Sequence, residues 1–477
     1  MNYRMIRNIL GWLLIFECGF MAVPTVTALV YREAEVWYFL ATMLLCGSIG
    51  ALCVLKKPPN ATLYAREGFV IVSLSWILLS VFGAIPFFLS GCIPNYVDAL
   101  FETVSGFTTT GASILSSVES LPRCMLMWRS FTHWVGGMGV LVFIMALVPL
   151  SGGQNMHIMK AESPGPSVSK LVPRVKTTAL ILYSIYLIMT FVMFIFLLFG
   201  GMTVFEALNT AFGTAGTGGF GIRNDSLASF SPYIHWVVTV FMLLFSINFS
   251  CYYLFLLGRF KEGFNAELRR FIYIVGIIIL VVTLNVRGTF DTLGDAVRNV
   301  SFTVASLIST TGFATVDFNL WPELSRTLLV LVMFIGGCAG STSGGLKVSR
   351  LMIMFRSAFA ELGNLIHPHR VKRVTIDKHP VEYSVIRVTN VYIVWYLLIF
   401  IVSILLLSFD DHDLITNFTA VTATINNIGP GLNLVGPTGN FAFFSIPSKF
   451  ILIFDMLAGR LGIFPMLALF APATWKK

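Results

Sequence analysis

Four short glycine-centred segments interrupt this chain: Thr109-Thr110-Gly111, Thr217-Gly218-Gly219, Thr310-Thr311-Gly312 and Asn427-Ile428-Gly429. Each lies between two long apolar stretches, and their glycines stand 108, 93 and 117 residues apart. Recurrence at about one unit per hundred residues points to one ancestral unit used four times. The flanking stretches, residues 180–199 and 391–407 among them, carry no charged residue. About 20 such residues in a helix cross a hydrocarbon layer about 30 Å thick. A soluble domain has about 25% charged residues, whereas this chain has 12%, with 56% hydrophobic residues. The chain therefore reads as an all-α polytopic membrane protein.

The net charge of +9 is distributed by topology, which argues against a nucleic-acid surface. Basic residues gather at Arg4 and Arg7, Lys56 and Lys57, 170–176, 259–270 and 370–378. Acidic residues such as Glu33, Glu35, Asp317, Glu323, Asp410, Asp411 and Asp413 fall in the alternate loops. Positive charge stays on the cytoplasmic side, so both termini are expected there. The first apolar segment shows no small-residue cleavage site and is expected to be retained. The seven cysteines form no metal-binding pattern. Cys92 and Cys124 are within conceivable reach on the outer side, but no disulfide is called for.

The expected architecture is two N-terminal helices (8–30 and 36–55), followed by four helix–pore-loop–helix units in pseudo-fourfold arrangement around one pore. The boundaries are 1–66 for the extra helices, 67–158, 159–258, 259–357 and 358–477 for the units. Within the units, short helices are expected at 96–108, 203–213, 292–309 and 412–425, too short to cross. The outgoing helices are expected at 125–150, 232–258, 325–357 and 443–472, giving ten spans in all. Asp98, Asp295 and Asp413 lie near three short-helix starts, where a carboxylate suits the helix dipole. The opposite ends then aim partial negative charge at the glycine segments, favouring a cation.

Irregular backbone at membrane depth is tolerated where it is buried in protein or lines water. Glycine permits backbone angles that turn successive carbonyls one way, and a ring of carbonyls can replace an ion's hydration shell. The hydroxyls of Thr109, Thr110, Thr310 and Thr311 offer further oxygens, or hydrogen bonds that hold the loops. No carboxylate sits in the segments, which argues against a divalent cation.

The segments FTTTGAS, TAGTGGFG, STTGFAT and NNIGPGL, in this order, resemble the four filter sequences of the Trk/Ktr/HKT superfamily of potassium transporters. The resemblance covers essentially the whole chain, and the two extra N-terminal helices favour its Trk branch. It implies a K+ filter of Thr109, Thr110, Gly111, Thr217, Gly218, Gly219, Thr310, Thr311, Gly312, Asn427, Ile428 and Gly429. Glycine in all four filters goes, in that family, with potassium over sodium.

The glycine-rich run Gly336, Gly337, Cys338, Ala339, Gly340, Ser341, Thr342, Ser343, Gly344 and Gly345 should break the third unit's last helix, each Gly costing about 1 kcal/mol relative to Ala. The family uses this segment as an intramembrane gate; the plainer reading is a patch for close helix packing. Arg460, an intramembrane charge, must face an interior cavity or a partner. The resemblance puts it beneath the filter beside the gate; the alternative is a pair with Asp455.

Residues 216–221 fit G-x-G-x-x-G but lack the strand that a dinucleotide site requires, and 340–347 lack the spacing of a P-loop. His367 and His369 have no third metal ligand. Glu17, inside the first helix, has no assigned role.

The expectation is a non-enzymatic potassium-uptake subunit of a bacterial inner membrane, driven by the membrane potential. No covalently bound cofactor is called for, only K+ in the filter. The resemblance implies a homodimer docked on cytosolic nucleotide-binding regulatory subunits of the TrkA type, which alone would carry nucleotide. The basic segments 160–176, 259–270 and 370–378 are candidate docking surfaces or anionic-lipid contacts. A sodium or non-selective monovalent cation transporter of the same fold stays open, as does an H+- or Na+-coupled symporter.

Overall fold

A computed structural model describes residues 1–56, 64–139, 175–367, 373–377 and 379–475. Helices α1 (Tyr3–Phe20) and α2 (Ala22–Tyr31) form one 29-residue span with a hitch at Met21, and α3 (Val36–Val54) returns. The first unit comprises α4 (Ala65–Leu89), α5 (Tyr96–Phe107) and α6 (Arg123–Gly137). The second has α7 (Val175–Phe199), α8 (Val204–Gly216), α9 (Pro232–Phe245) and α10 (Phe249–Leu256), followed by the single turn α11 (Phe260–Gly263). The third has α12 (Ala266–Val286), α13 (Leu293–Ile308), α14 (Glu323–Ile335) and α15 (Val348–Ile366). A small antiparallel hairpin, β1 (Thr375–Ile376) and β2 (His379–Pro380), leads to the fourth unit. That unit has α16 (Tyr383–Leu407), α17 (Leu414–Ile425), α18 (Ile446–Leu461), α19 (Ile463–Phe470) and the turn α20 (Pro472–Trp475). The expected continuation of α6 to residue 150, His369, and much of the basic segments 160–176 and 370–378 lie outside the described residues.

Among the described residues, six helices are long and apolar enough to cross a membrane unaided. The expected further spans are broken instead of straight. The α9–α10 pair bends by 91° at residues 246–248, where 232–258 was expected to be one helix. The bend frees the carbonyls of Phe245 and Ser246, and both accept N–H groups from residues 336–347. Asn248 restarts the chain by capping α10, its Oδ1 accepting the Ser250 N–H at 2.8 Å. α18 gives way to α19 at Gly462, whose φ is +83°. On α16, Val394, Ile401 and Leu405 are exposed, an apolar face suited to lipid tails and costly in water.

The short helices start on side-chain caps, which satisfy otherwise orphaned amides. Asn95 caps α5, accepting the Val97 N–H at 2.9 Å. Thr203 and Glu206 form a capping box on α8. Thr292 caps α13, and Asp413 caps α17. Asp98 stands in the first turn of α5, as expected for a carboxylate that serves the helix dipole, and it also pairs with Lys449 on α18 at 2.6 Å. That neighbour is distant in sequence, so no local pattern announced it. Glu17 faces the protein interior fully buried, against Gly83 of α4. All seven cysteines are free thiols.

Candidate ion pathway

Each short helix ends in the same way. The N–H groups of Thr109, Thr217, Thr310 and Asn427 bond to the carbonyls of Gly106, Thr214, Leu307 and Thr424 at 3.0–3.1 Å. The next N–H groups, of Thr110, Gly218, Thr311 and Ile428, bond to Ser105, Gly213, Ser306 and Ala423 at 2.8–2.9 Å. This paired closure is a Schellman motif, and it places its C′ residue in the left-handed region. Three of those four residues are threonines, at φ of +56° to +59°, and Asn427 has +54°. A β-branched residue there is an outlier that its surroundings must enforce. Two residues on, Gly111, Gly219, Gly312 and Gly429 are again at positive φ, from +78° to +98°. Positive φ thus recurs at every second residue of each segment, a backbone conformation that glycine adopts without the Cβ penalty.

The four segments close on one another in chain order. A Cβ on Gly111 would overlap the carbonyl oxygen of Gly218, and one on Gly219 that of Thr311. A Cβ on Gly312 would overlap the carbonyl oxygen of Ile428, and one on Gly429 would lie 2.8 Å from that of Thr110. The cycle therefore returns to its first member. Glycine is required twice at each position, by backbone angle and by the neighbouring carbonyl. All four glycines line one funnel of about 140 Å³, whose other walls include Ser113, Ser116, Arg223, Asn224, Pro437 and Asn440.

The hydroxyls are mostly engaged in holding this ring. Thr110 Oγ1 is 2.8 Å from Thr108 Oγ1, and Thr311 Oγ1 is 2.7 Å from that of Ser309. Asn427 Nδ2 donates to Thr110 Oγ1 and to the Met456 carbonyl, both at 2.9 Å. Thr217 Oγ1 donates back to the Gly216 carbonyl. Thr109 Oγ1 is buried without a partner among the described residues.

A second layer, not anticipated from sequence, lies on α6. His133 accepts the Phe220 N–H at Nε2 (3.2 Å), so its Nδ1 carries the proton and donates to the Gly106 carbonyl at 2.7 Å. The ring thus ties the end of α5 to the exit of the second segment, and packs where a Gly218 side chain would be. One turn earlier, Arg129 and Glu102 form a buried ion pair at 2.8 Å. Glu102 also accepts from Ser113 and the Ile114 N–H, while Arg129 donates to the Gly221 carbonyl and stacks over Phe220 at 4.0 Å. The Arg129–His133 spacing of four residues, one helix face, was the available sequence signal.

The helix breaks where expected, and the break runs over residues 336–347, two residues beyond the expected 336–345. Gly336, Gly340, Gly345 and Lys347 all have positive φ, and the loop docks at the α9–α10 corner. Cys338 N–H bonds to Ser246 at 2.9 Å, Thr342 Oγ1 to Phe245 at 3.1 Å, and Phe249 N–H to Gly340 at 3.1 Å. Gly337 accepts the Val348 N–H at 3.1 Å and fits under Ser343, whose Oγ is 2.7 Å from that of Ser341. Gly344 N–H donates to Thr310 Oγ1 at 2.6 Å, and Lys347 Nζ is bonded to the Ser343 carbonyl. Arg460 donates to the Thr342 carbonyl and to those of Gly136 and Gly137, each at 2.6 Å. Asp455 accepts instead from Ser403. Glu267, at the start of α12, was also missed: one oxygen accepts the N–H groups of Ala339 (2.8 Å) and Ser349 (3.1 Å), one from each side of the break.

A family model for TrkH, a cation transport protein, matches residues 37–477. The chain belongs to the TrkH family. It is 36% identical to the Trk system potassium uptake protein TrkH of Salmonella typhimurium, over the whole of both chains. The TrkG potassium uptake protein of Escherichia coli is 32% identical, with 100% of this chain and 99% of that one covered. The crystal structure of the potassium transporter TrkH from Vibrio parahaemolyticus superposes with a TM-score of 0.89, at 33% identity and full coverage of both chains. TrkH-family proteins are membrane cation transporters, not enzymes, and this member has the expected all-α, multi-pass fold.

Proposed function

We propose that this chain is the pore-forming subunit of a potassium-uptake system, with the four glycine segments as its filter. The observation that carries the reading is the closed cycle in which each filter glycine abuts the carbonyl of the next segment. Carbonyl oxygens brought to one axis suit a dehydrated monovalent cation, and the potassium-uptake names of the relatives support potassium as the ion. The helix ends behind the segments add partial negative charge. The membrane potential supplies about 2.3 kcal/mol per 100 mV for each cation entering, so uptake needs no chemistry by this chain.

In this reading residues 336–347 are the gate. Arg460, which donates to the loop, and Thr310 and Glu267, which accept from it, hold the loop closed across the pathway, and Arg460 adds a repelling charge. The chain works as a homodimer in the bacterial inner membrane, termini inside, with TrkA-type nucleotide-binding subunits acting on the gate from the cytosol. The test is potassium and sodium flux into liposomes holding the purified chain under an inside-negative potential, with and without the regulatory subunit. Selective potassium uptake, degraded by Gly111→Ser, supports the filter. Equal flux of the two ions would sink the selectivity, and uptake only with a second ion gradient would make it a symporter.

A further inference from the structure

At the N-terminal end of α12, the end away from the short helix α13, residues of α12, α15 and the β1–β2 hairpin line a groove of about 590 Å³. Arg269, Arg270, Tyr273 and Arg356 line it. Asp377 is the acidic lining residue: it accepts the Ala266 N–H at 2.9 Å and pairs with Arg269 at 3.1 Å. Arg356 reaches the Thr375 carbonyl through Nη1, and Arg270 has no ion pair among the described residues. Three guanidiniums against one carboxylate leave the groove strongly positive. Tyr273 is 65% exposed, and Ile272 and Ile277 beside it are exposed on the same helix. An aromatic residue between arginines and an apolar face marks the membrane–water boundary.

We infer that this groove binds the phosphate of an anionic phospholipid headgroup, with the acyl chains lying along the exposed face of α12. Arginine forks match phosphate oxygens, and basic pockets between spanning helices at this depth take anionic headgroups. The site has a direct connection to the loop. The turn of α12 that Asp377 holds at Ala266 and Arg269 also carries Glu267, which ties Ala339 to Ser349 across the break. A phosphate that draws Arg269 from Asp377 loosens that turn, and with it the hold of Glu267 on the loop. This second half rests on reading residues 336–347 as a gate.

The test uses the full-length purified chain. Binding of dioctanoyl phosphatidylglycerol, dioctanoyl phosphatidylcholine and inorganic phosphate is measured by native mass spectrometry. Phosphatidylglycerol should bind and phosphatidylcholine should not, with affinity falling about fivefold for each arginine removed in Arg270→Gln and Arg270→Gln/Arg356→Gln. Arg270 is exposed, so its single variant keeps the fold. Unchanged binding in both variants overturns the site, and phosphate binding without lipid binding overturns the lipid assignment. In liposomes, replacing phosphatidylcholine by phosphatidylglycerol should raise potassium flux at least twofold for the native chain and not for the double variant. The double variant meets the same surface potential and controls for it. Equal responses overturn the coupling, while absence of all flux would count against the proposed function and leave the binding result standing.

Discussion

The hydroxyl of Thr310 accepts the amide N–H of Gly344 at 2.6 Å, so the third glycine segment and the loop at residues 336–347 share a hydrogen bond. The same threonine is held at φ +59°. A change in either element is therefore felt at once by the other. Replacing Thr310 by Val removes the acceptor and leaves a buried N–H unsatisfied, a loss of about 1–3 kcal/mol. We expect potassium flux to rise about fivefold or more, with Thr310→Ser close to native. Flux assays in liposomes read this directly; a fall in flux in Thr310→Val would contradict it.

Arg460 should show the same sign more strongly. It contacts the loop at Thr342 and the end of α6 at Gly136 and Gly137. Charged hydrogen bonds contribute about 1.5–3 kcal/mol each, so Arg460→Gln should raise leak through the closed state tenfold or more. Single-channel recording of the purified chain would measure the closed-state occupancy.

The glycine ring predicts a graded series. At Gly111, Gly219 and Gly312 an added Cβ would come within 1.9–2.1 Å of the next carbonyl oxygen, whereas at Gly429 the clash is milder, 2.8 Å from that of Thr110. Alanine at the first three should abolish potassium preference or folding, and Gly429→Ala should lose less. Potassium-to-sodium flux ratios across the four variants test the ranking, and a worse outcome for Gly429→Ala than for the other three would refute it.

The second layer can be separated from the first. Truncating Glu102 to Ala leaves Arg129 buried without its carboxylate, a change that costs about 3–5 kcal/mol and should appear as a large loss of thermal stability in detergent. His133→Phe keeps the ring but removes both hydrogen bonds, to Gly106 and Phe220. It should lower the potassium-to-sodium ratio several-fold at modest cost in stability. An unchanged ratio would show that His133 does not position the second segment.

A pH effect is expected outside the membrane. Hydrogen bonds from the Thr416 hydroxyl, the Thr416 amide and Asn433 hold the Asp413 carboxyl below its usual value. A depressed value stabilises the fold above the unfolded value, about pH 4, and that contribution is lost as pH falls through the folded one. The stability gap between the native chain and Asp413→Asn should be constant near neutrality and narrow below about pH 4. Melting curves over pH 3–7 would check it, and a gap that widened on acidification would reverse the assignment.

What could be read along the chain was periodic or compositional. The spans follow from uncharged apolar runs, the short helices from their length, and the break in the third unit from its run of glycines. Each is a local property, because helix length, backbone freedom and burial in lipid depend on neighbours a few residues away. The bend at 246–248 was not legible, since no proline or glycine marks it and the loop bonded to its freed carbonyls comes from about ninety residues on. Lys449 as the partner of Asp98, and the hold of Glu267 on both sides of the break, are likewise long-range pairings.

The glycine positions themselves stand between the two kinds of knowledge. Their recurrence and order could be recognised from one dimension and led to the TrkH family. That the Cα of each meets the next segment's carbonyl, in a cycle that closes on itself, exists only once four units are folded around one axis. Which hydroxyls hold the ring, and which histidine bridges two of its members, followed from the same closure. Sequence specifies what each segment is able to do alone, whereas contacts between segments hundreds of residues apart arise only when packing brings their buried polar groups together and each must find a partner.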